Sequence, residues 1–311
     1  MIWSSDLVTV KMSAKQVIQK VFHLMGYHVM RRKSLQSGSD PALPPLFDDP
    51  LEALCYEQGG EAAAFWCPLK YTVKQNALSY SPRGWHPFVA TLREYAAGES
   101  AGYDDSVLRH FHETHQPENA AEAIAGFGQA PSDYENRPAH VYRLTPWRSR
   151  TADWVDQNVR KWSKRDAREH GGSERDWSFD EDGYQYHGPV SERRGRLEYQ
   201  RLTNLYERLK ADGYDRSRGH VHVIVLRRAD EIRFLNQGPG NHRTAAMAAL
   251  GYDTVPTKFY KRHVVDAGMV KYWPQVRSGA WTEEQAEAYF NHLFEFDSRT
   301  WAEERGLLCK A

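Results

Sequence analysis

Chemistry is concentrated between Gly238 and Thr244, where Gly238-Pro239-Gly240 runs into Asn241-His242-Arg243-Thr244. The glycines bend the backbone and leave it open to close approach. Asn241 is suited to cap a helix, and Thr244 to Leu250 are nearly all strong helix formers until Gly251 stops them. Free N–H groups and the partial positive charge of that helix N-terminus would face the turn, which suits an anion. His242 and Arg243 fall in the first helical turn, where the helix dipole disfavours cations; a bound anion removes the conflict. A Gly-x-Gly before a helix is also a common tight turn, and the His-Arg pair tips the reading toward a phosphate.

Three elements must position this loop. Val221, Val223 and Val225 alternate with His222, Ile224 and Leu226, and this density of β-branched residues predicts a buried strand. Ile232, Phe234 and Leu235 predict a second, and the short polar Arg228-Ala229-Asp230 connection pairs the two as an antiparallel hairpin. A helix over Leu197 to Lys210 would turn Leu202, Leu205, Tyr206 and Leu209 to the sheet and Arg201, Asn204 and Arg208 outward.

Gly240-Asn241-His242-Arg243, with Ala245, Leu250-Gly251 and Val255-Pro256, resembles the Gly-x-x-Arg helix and its closing strand in the ParB/sulfiredoxin superfamily. The resemblance covers about residues 188–260. It implies an α+β fold, a ParB/sulfiredoxin-like small mixed sheet with packed helices, whose loop holds nucleotide phosphates. By resemblance the nucleotide contacts are Gly238, Gly240, Asn241, His242, Arg243 and Thr244, with Arg194, Arg196, Arg201 and Asn204 from the helix edge. Members include a CTP-binding partition protein, an ATP-using sulfinic acid reductase and free-serine kinases. Asn241 stands where the sulfiredoxin branch has its reactive cysteine, which argues against thiol chemistry. The partition branch reads Gly-Glu-Arg-Arg, and His242 departs from it.

Phosphoryl transfer needs cations around the transferred group, usually Mg²⁺ on the phosphates, and a carboxylate to orient or deprotonate the acceptor hydroxyl. Glu192 and Glu198 lie near the arginines, after Asp180, Glu181 and Asp182, and each is more often a surface carboxylate than a base. Glu192, His242 and Arg243 are the catalytic candidates. The expected function is an ATP-dependent phosphotransferase, with ATP or another nucleoside triphosphate and Mg²⁺, acting on a hydroxyl of a small molecule or glycan precursor. The alternatives are a non-enzymatic ParB-like nucleotide-gated or DNA-associated module, and a scaffold that binds no nucleotide.

The chain has 311 residues, and its 41 basic side chains balance 41 acidic ones. Balanced charge and the lack of a helix-turn-helix after the nucleotide domain argue against nucleic acid as partner. Cys55, Cys67 and Cys309 make no Cys-x-x-Cys pair or disulfide framework, which suits a reducing compartment. No stretch reaches the roughly 20 apolar residues of a membrane span. The expected location is the cytoplasm, with peripheral contact to the inner membrane face through residues 11–33. There Val17, Ile18, Val21, Phe22 and Met25 share a helical face flanked by Lys15, Lys20, Arg31, Arg32 and Lys33. Such a face more often packs on protein.

The expected organisation is an amphipathic basic segment at 1–33, a Pro-rich linker at 34–50 and a mainly helical region at 51–170. A hydrophilic connector at 171–187, the nucleotide-binding domain at 188–262 and a helical tail at 263–311 follow. Within the helical region, Pro87 opens a helix that Gly98 ends, Asp105 or Ser106 begins a second and Asn119 caps a third. Val141 to Leu144 reads as a short strand, and Trp154 to His170 as an exposed helix with one aromatic stripe and a basic run. In the tail, Thr282-Glu283-Glu284-Gln285 is a capping box. His110, His112, Glu113 and His115 miss the His-Glu-x-x-His spacing and lack an identifiable third ligand, so no metal site is assigned.

Overall fold

The computed structural model describes residues 43–171 and 176–308, apart from the side chains at 262 and 263. The amphipathic segment at 11–33, most of the linker and Cys309 lie outside the described residues. The elements in chain order are β1 (Leu46–Phe47), α1 (Pro50–Gln58), β2 (Ala64–Pro68), β3 (Thr72–Val73), α2 (Pro87–Ala97) and α3 (Val107–Thr114). They continue with α4 (Ala152–His170), α5 (Phe179–Asp182), α6 (Glu192–Asp212), β4 (Val221–Arg228), β5 (Glu231–Asn236) and α7 (Asn241–Ala249). The last are β6 (Thr254–Asp266), α8 (Pro274–Arg277), α9 (Glu283–Glu295) and α10 (Ser298–Glu304). The fold is α+β.

One mixed sheet runs β1-β2-β6-β4-β5-β3. β4 and β5 form the expected antiparallel hairpin, with Val225 opposite Phe234 and Arg228 opposite Glu231. β6 lies parallel to β4 and antiparallel to β2. The buried Val221, Val223, Ile224, Val225 and Leu226 suit β4's central place, because a strand covered on both faces carries a nearly continuous apolar run. β6 outruns the expected end at Tyr260: a bulge between Val223 and Val225, with Lys261 at φ 57°, carries the pairing on to Val265 and Asp266.

Two expected boundaries are corrected by this sheet. β1 comes from the stretch read as linker, and β2 and β3 from the region read as helical, yet all three belong to the same sheet as the hairpin. Their apolar runs are too short for a periodicity to show, and the partner strands supply what local sequence does not. Likewise β6 crosses the boundary drawn at 262.

Helix signals were stronger. Pro87 starts α2 and Gly98 ends it at φ 73°; Ser106 caps α3 through the Arg109 N–H at 3.3 Å. The Thr282–Gln285 capping box closes in both directions at 3.1 Å and turns Ala286, Tyr289, Phe290 and Leu293 into the core. Asn119 accepts the N–H groups of Ala121 and Glu122 at 3.1 Å each, but a turn follows rather than a third helix. Ala139–Arg143 is a 3-10 helix, not a strand, because two prolines, Pro138 and Pro146, bracket it. The connector is not merely hydrophilic: Trp177, Tyr184, Tyr186 and His187 are buried, and α5 lies within it.

Candidate functional site

α7 projects the candidate loop. Ala245, Ala246, Met247 and Ala248 are buried, so the helix packs through a face of mostly small residues against the sheet and α2. Its N-cap is Gly240, at φ 106°, which makes no side-chain cap; a Cβ there would sit 2.9 Å from the Val221 Cα. The expected cap, Asn241, points elsewhere. Its Oδ1 accepts from Lys74 Nζ at 2.8 Å and its Nδ2 donates to the Tyr186 hydroxyl at 2.6 Å. No side chain therefore caps the first N–H groups of α7, and its dipole end stays available to an anion.

On one side the loop opens into a groove of about 570 Å³ between α7, α6 and the end of α4. Arg201, Arg208, Arg218, Arg243, His170 and His242 line it with Gln200 and Asn204, and no carboxylate among the described residues does. Arg243 donates to neutral oxygens: the Gly219 carbonyl, the Arg218 carbonyl and the Tyr214 hydroxyl, the last two at 3.4 Å. Arg218 pairs with Asp215 at 3.2 Å. For Arg208 and Arg243 the described residues show no ion pair, so the groove holds uncompensated positive charge facing a helix N-terminus.

Beneath the groove runs a buried charge relay. Glu198, fully buried on α6, accepts from His242 Nε2 and from Arg201 at 3.0 Å. Arg201 reaches on to both Asp166 oxygens at 2.7 and 3.2 Å, and Arg194 lies 3.5 Å from the same carboxylate. Burial pushes the Glu198 carboxyl up, but His242 and Arg201 beside it outweigh that and hold it well below the ordinary carboxylate range. A carboxylate only accepts, so His242 carries a proton at Nε2, and Nδ1 is the nitrogen left to take another. Phe88 stacks on the imidazole with centroids 5.3 Å apart and fixes its plane.

On its other side the loop borders a smaller pocket of about 210 Å³, lined by Gly238, Pro239 and Asn241 together with Gln237, Arg143 and Trp162. Arg143 donates to the Tyr184 hydroxyl and to the Gln237 carbonyl at 3.4 Å. Next to this pocket lies Lys74, 2% exposed, its Nζ 4.9 Å from the Tyr186 ring centre. Burial first and the Arg143 charge second push the Lys74 pKa well down, which favours the neutral amine.

Of the ten expected contact residues, Arg201, Asn204, Gly240, His242 and Arg243 converge on the basic groove. Gly238 and Asn241 face the smaller pocket, and Thr244 is buried, donating to the Gly240 carbonyl at 3.0 Å and accepting from Asn236 at 2.8 Å. Arg194 is buried beside Asp166, not in the groove. Arg196 and Glu192 form an exposed i,i+4 pair at 2.5 Å, with Asp104 at 2.6 Å from the same arginine, and neither lines the groove. The reason is the helix start. Ser191 caps α6 by accepting the Arg194 N–H at 3.2 Å, so residues 192–196 are helical rather than a lead-in, and their phase turns Glu192 and Arg196 away. Glu198, further along the same helix, takes the place beside His242.

Sequence reasoning missed Lys74, Arg143, Arg218 and His170. The run Lys74-Gln75-Asn76 directly after a β-branched pair was a usable signal, since three polar residues there are all buried. Of the histidines once weighed for metal, His112 is bound to the Tyr103 hydroxyl at 3.1 Å and the Gln185 carbonyl at 3.2 Å, and His110 to the Gly306 carbonyl at 3.1 Å. Among the described residues no three His, Cys, Asp or Glu side chains gather as a metal site, and no helix is long and apolar enough to cross a membrane. No family model, no curated protein and no solved structure matches the chain significantly.

Proposed function

We propose that the chain binds a nucleoside triphosphate with its phosphates in the groove at the α7 N-terminus and transfers a phosphoryl group to an alcohol. The reading takes up the ParB/sulfiredoxin-like loop as an ATP site with a hydroxylated small molecule or glycan precursor as acceptor. The observation that carries it is the pairing of a helix N-terminus without a side-chain cap with Arg208 and Arg243, cations with no carboxylate partner among the described residues. The groove's volume also falls in the usual range of roughly 300–1,000 Å³ for small-molecule sites.

In this reading the acceptor oxygen attacks the γ-phosphorus, its bond to the bridging oxygen breaks, and the nucleoside diphosphate leaves. His242 Nδ1 takes the hydroxyl proton, Glu198 holds the ring, and Arg243 and Arg208 stabilise the charge on the equatorial oxygens. Among the described residues the groove brings no carboxylate of its own, so Mg²⁺ would arrive on the phosphates; Glu198 is committed to His242 and Arg201.

The test is calorimetric titration of ATP and CTP, with and without Mg²⁺, into the full chain and into Arg243→Ala. Binding to the native chain that weakens at least about tenfold in the variant supports the reading. Absence of binding by any nucleoside triphosphate overturns it. ATP turnover stimulated by hydroxylated metabolites selects the phosphotransferase, whereas CTP preference with salt-sensitive DNA retention selects a nucleotide-gated module.

A further inference from the structure

The pocket on the far side of the Gly238–Asn241 turn has a chemistry of its own. At about 210 Å³ it is too small for a nucleotide and below the roughly 300 Å³ at which drug-sized sites begin. Arg143 and Arg148 line it together, and no acidic residue among those described does. Neither arginine has an ion pair among the described residues: Arg143 donates to the Tyr184 hydroxyl and the Gln237 carbonyl, and Arg148 to the Arg143 carbonyl at 3.3 Å. Two half-buried guanidinium groups on one pocket repel each other: burial and then the Arg143 charge lower the Arg148 pKa, whereas Tyr184 and Tyr142 outweigh burial at Arg143 and raise its pKa. An anion between them relieves that repulsion.

A second, independent observation comes from Gln237. It is 6% exposed and lines the same pocket, yet neither its Oε1 nor its Nε2 has a hydrogen-bond partner among the described residues. A buried amide with both ends unmet costs free energy unless a ligand or water meets them. Its acceptor and donor together match one hydroxyl, which gives a proton and takes one. Trp154 and Trp162 supply flat apolar walls, with the Arg143 guanidinium 5.8 Å from the Trp162 ring centre.

We propose that this pocket binds a small hydroxy-carboxylate: the carboxylate between Arg143 and Arg148, the hydroxyl at the Gln237 amide and a flat apolar body against the tryptophans. The turn that borders this pocket through Gly238, Pro239 and Asn241 borders the basic groove through Gly240, His242 and Arg243. Naming the ligand as the phosphoryl acceptor rests on the phosphotransfer reading; its recognition as a hydroxy-carboxylate does not.

The experiment titrates the full chain with 4-hydroxybenzoate, benzoate and phenol, following tryptophan fluorescence. Saturable binding of 4-hydroxybenzoate, at least about tenfold tighter than phenol, is the expected result. Arg148→Gln should weaken it at least about tenfold, and Gln237→Leu should erase the preference for 4-hydroxybenzoate over benzoate. Thermal melts and ATP titrations establish that both variants fold and that the groove is intact. Equal binding of phenol and 4-hydroxybenzoate, unchanged affinity in Arg148→Gln, or no saturation would overturn the proposal. So would a parallel loss of ATP affinity in Arg148→Gln, which would merge pocket and groove into one nucleotide site. Carboxylate binding in a chain that binds no nucleotide sinks the phosphotransfer reading alone; ATP binding with no carboxylate binding sinks this one alone.

Discussion

Glu198 has no exposed surface and lies against His242, Arg201 and Arg194, so its charge is central to the site. Replacing it with Gln keeps the shape and removes the charge, which leaves His242 and Arg201 facing a neutral amide. Breaking a buried pair by removing one partner costs about 3–5 kcal/mol, and a loss of that order is expected in urea unfolding at pH 7. The pH dependence has a definite sign. Because the folded carboxyl lies below its ordinary value of 4.5, the ionised form contributes stability above that value and loses it as pH falls toward the folded one. The gap between native chain and Glu198→Gln should therefore narrow from pH 6 to pH 3; a constant gap would show that the charge does not carry the effect. Residue types at Gly240, His242 and Arg243 were readable because loop and helix signals are local. The choice of Glu198 over Glu192 was not, because it depends on helical phase, and phase was set by a cap at Ser191 that the periodicity of Leu202, Leu205 and Leu209 does not reveal.

Among the elements, α7 depends most on one backbone conformation. Gly240 has φ 106°, a region that L side chains rarely adopt, and its open side faces the Val221 backbone at 2.9 Å from an added Cβ. Strain of this kind costs on the order of 1–3 kcal/mol, and the contact with backbone adds to it. Gly240→Ala should lower the urea midpoint without changing the slope. If the strain is relieved by shifting the helix start, the nucleotide binding proposed for the groove should weaken too, since the N–H groups no longer face it. An unchanged midpoint would mean that the turn relaxes freely. Helix boundaries were legible at Pro87, Gly98 and Thr282, where a proline, a glycine or a capping box marks them, and β4 and β5 where β-branched residues run together. The Asn241 cap failed because a buried amine, Lys74, and the Tyr186 hydroxyl compete for the same amide, and both come from sequence far away.

At the scale of the whole molecule, the sheet joins segments that the sequence separates. Phe65 of β2 stacks on Phe259 of β6 at 4.5 Å and meets Phe234 of β5 at 5.5 Å, and β3 closes the far edge beside Phe234 and Leu235. The alanine face of α7 packs on α2, which carries the buried Phe88 and Leu92. A fragment of residues 188–262 would keep Phe234 and Phe259 but lose Phe65, α2, the last residues of β6 and both strands, β2 and β3, that flank β6 and the hairpin. It would expose two long strand edges, and a chain of that size has little core to spare. Residues 43–311, in contrast, form a compact unit that contains the whole sheet. The expected outcome is a single cooperative urea transition for 43–311 and none for 188–262, by circular dichroism and tryptophan fluorescence together. Cooperative unfolding of the short fragment would mean that β1, β2, β3 and α2 decorate an independent domain. Its absence would mean that the Gly238–Thr244 loop is held by contacts spread over the sheet, so that Lys74 and Phe88 belong to the candidate site as much as His242 does.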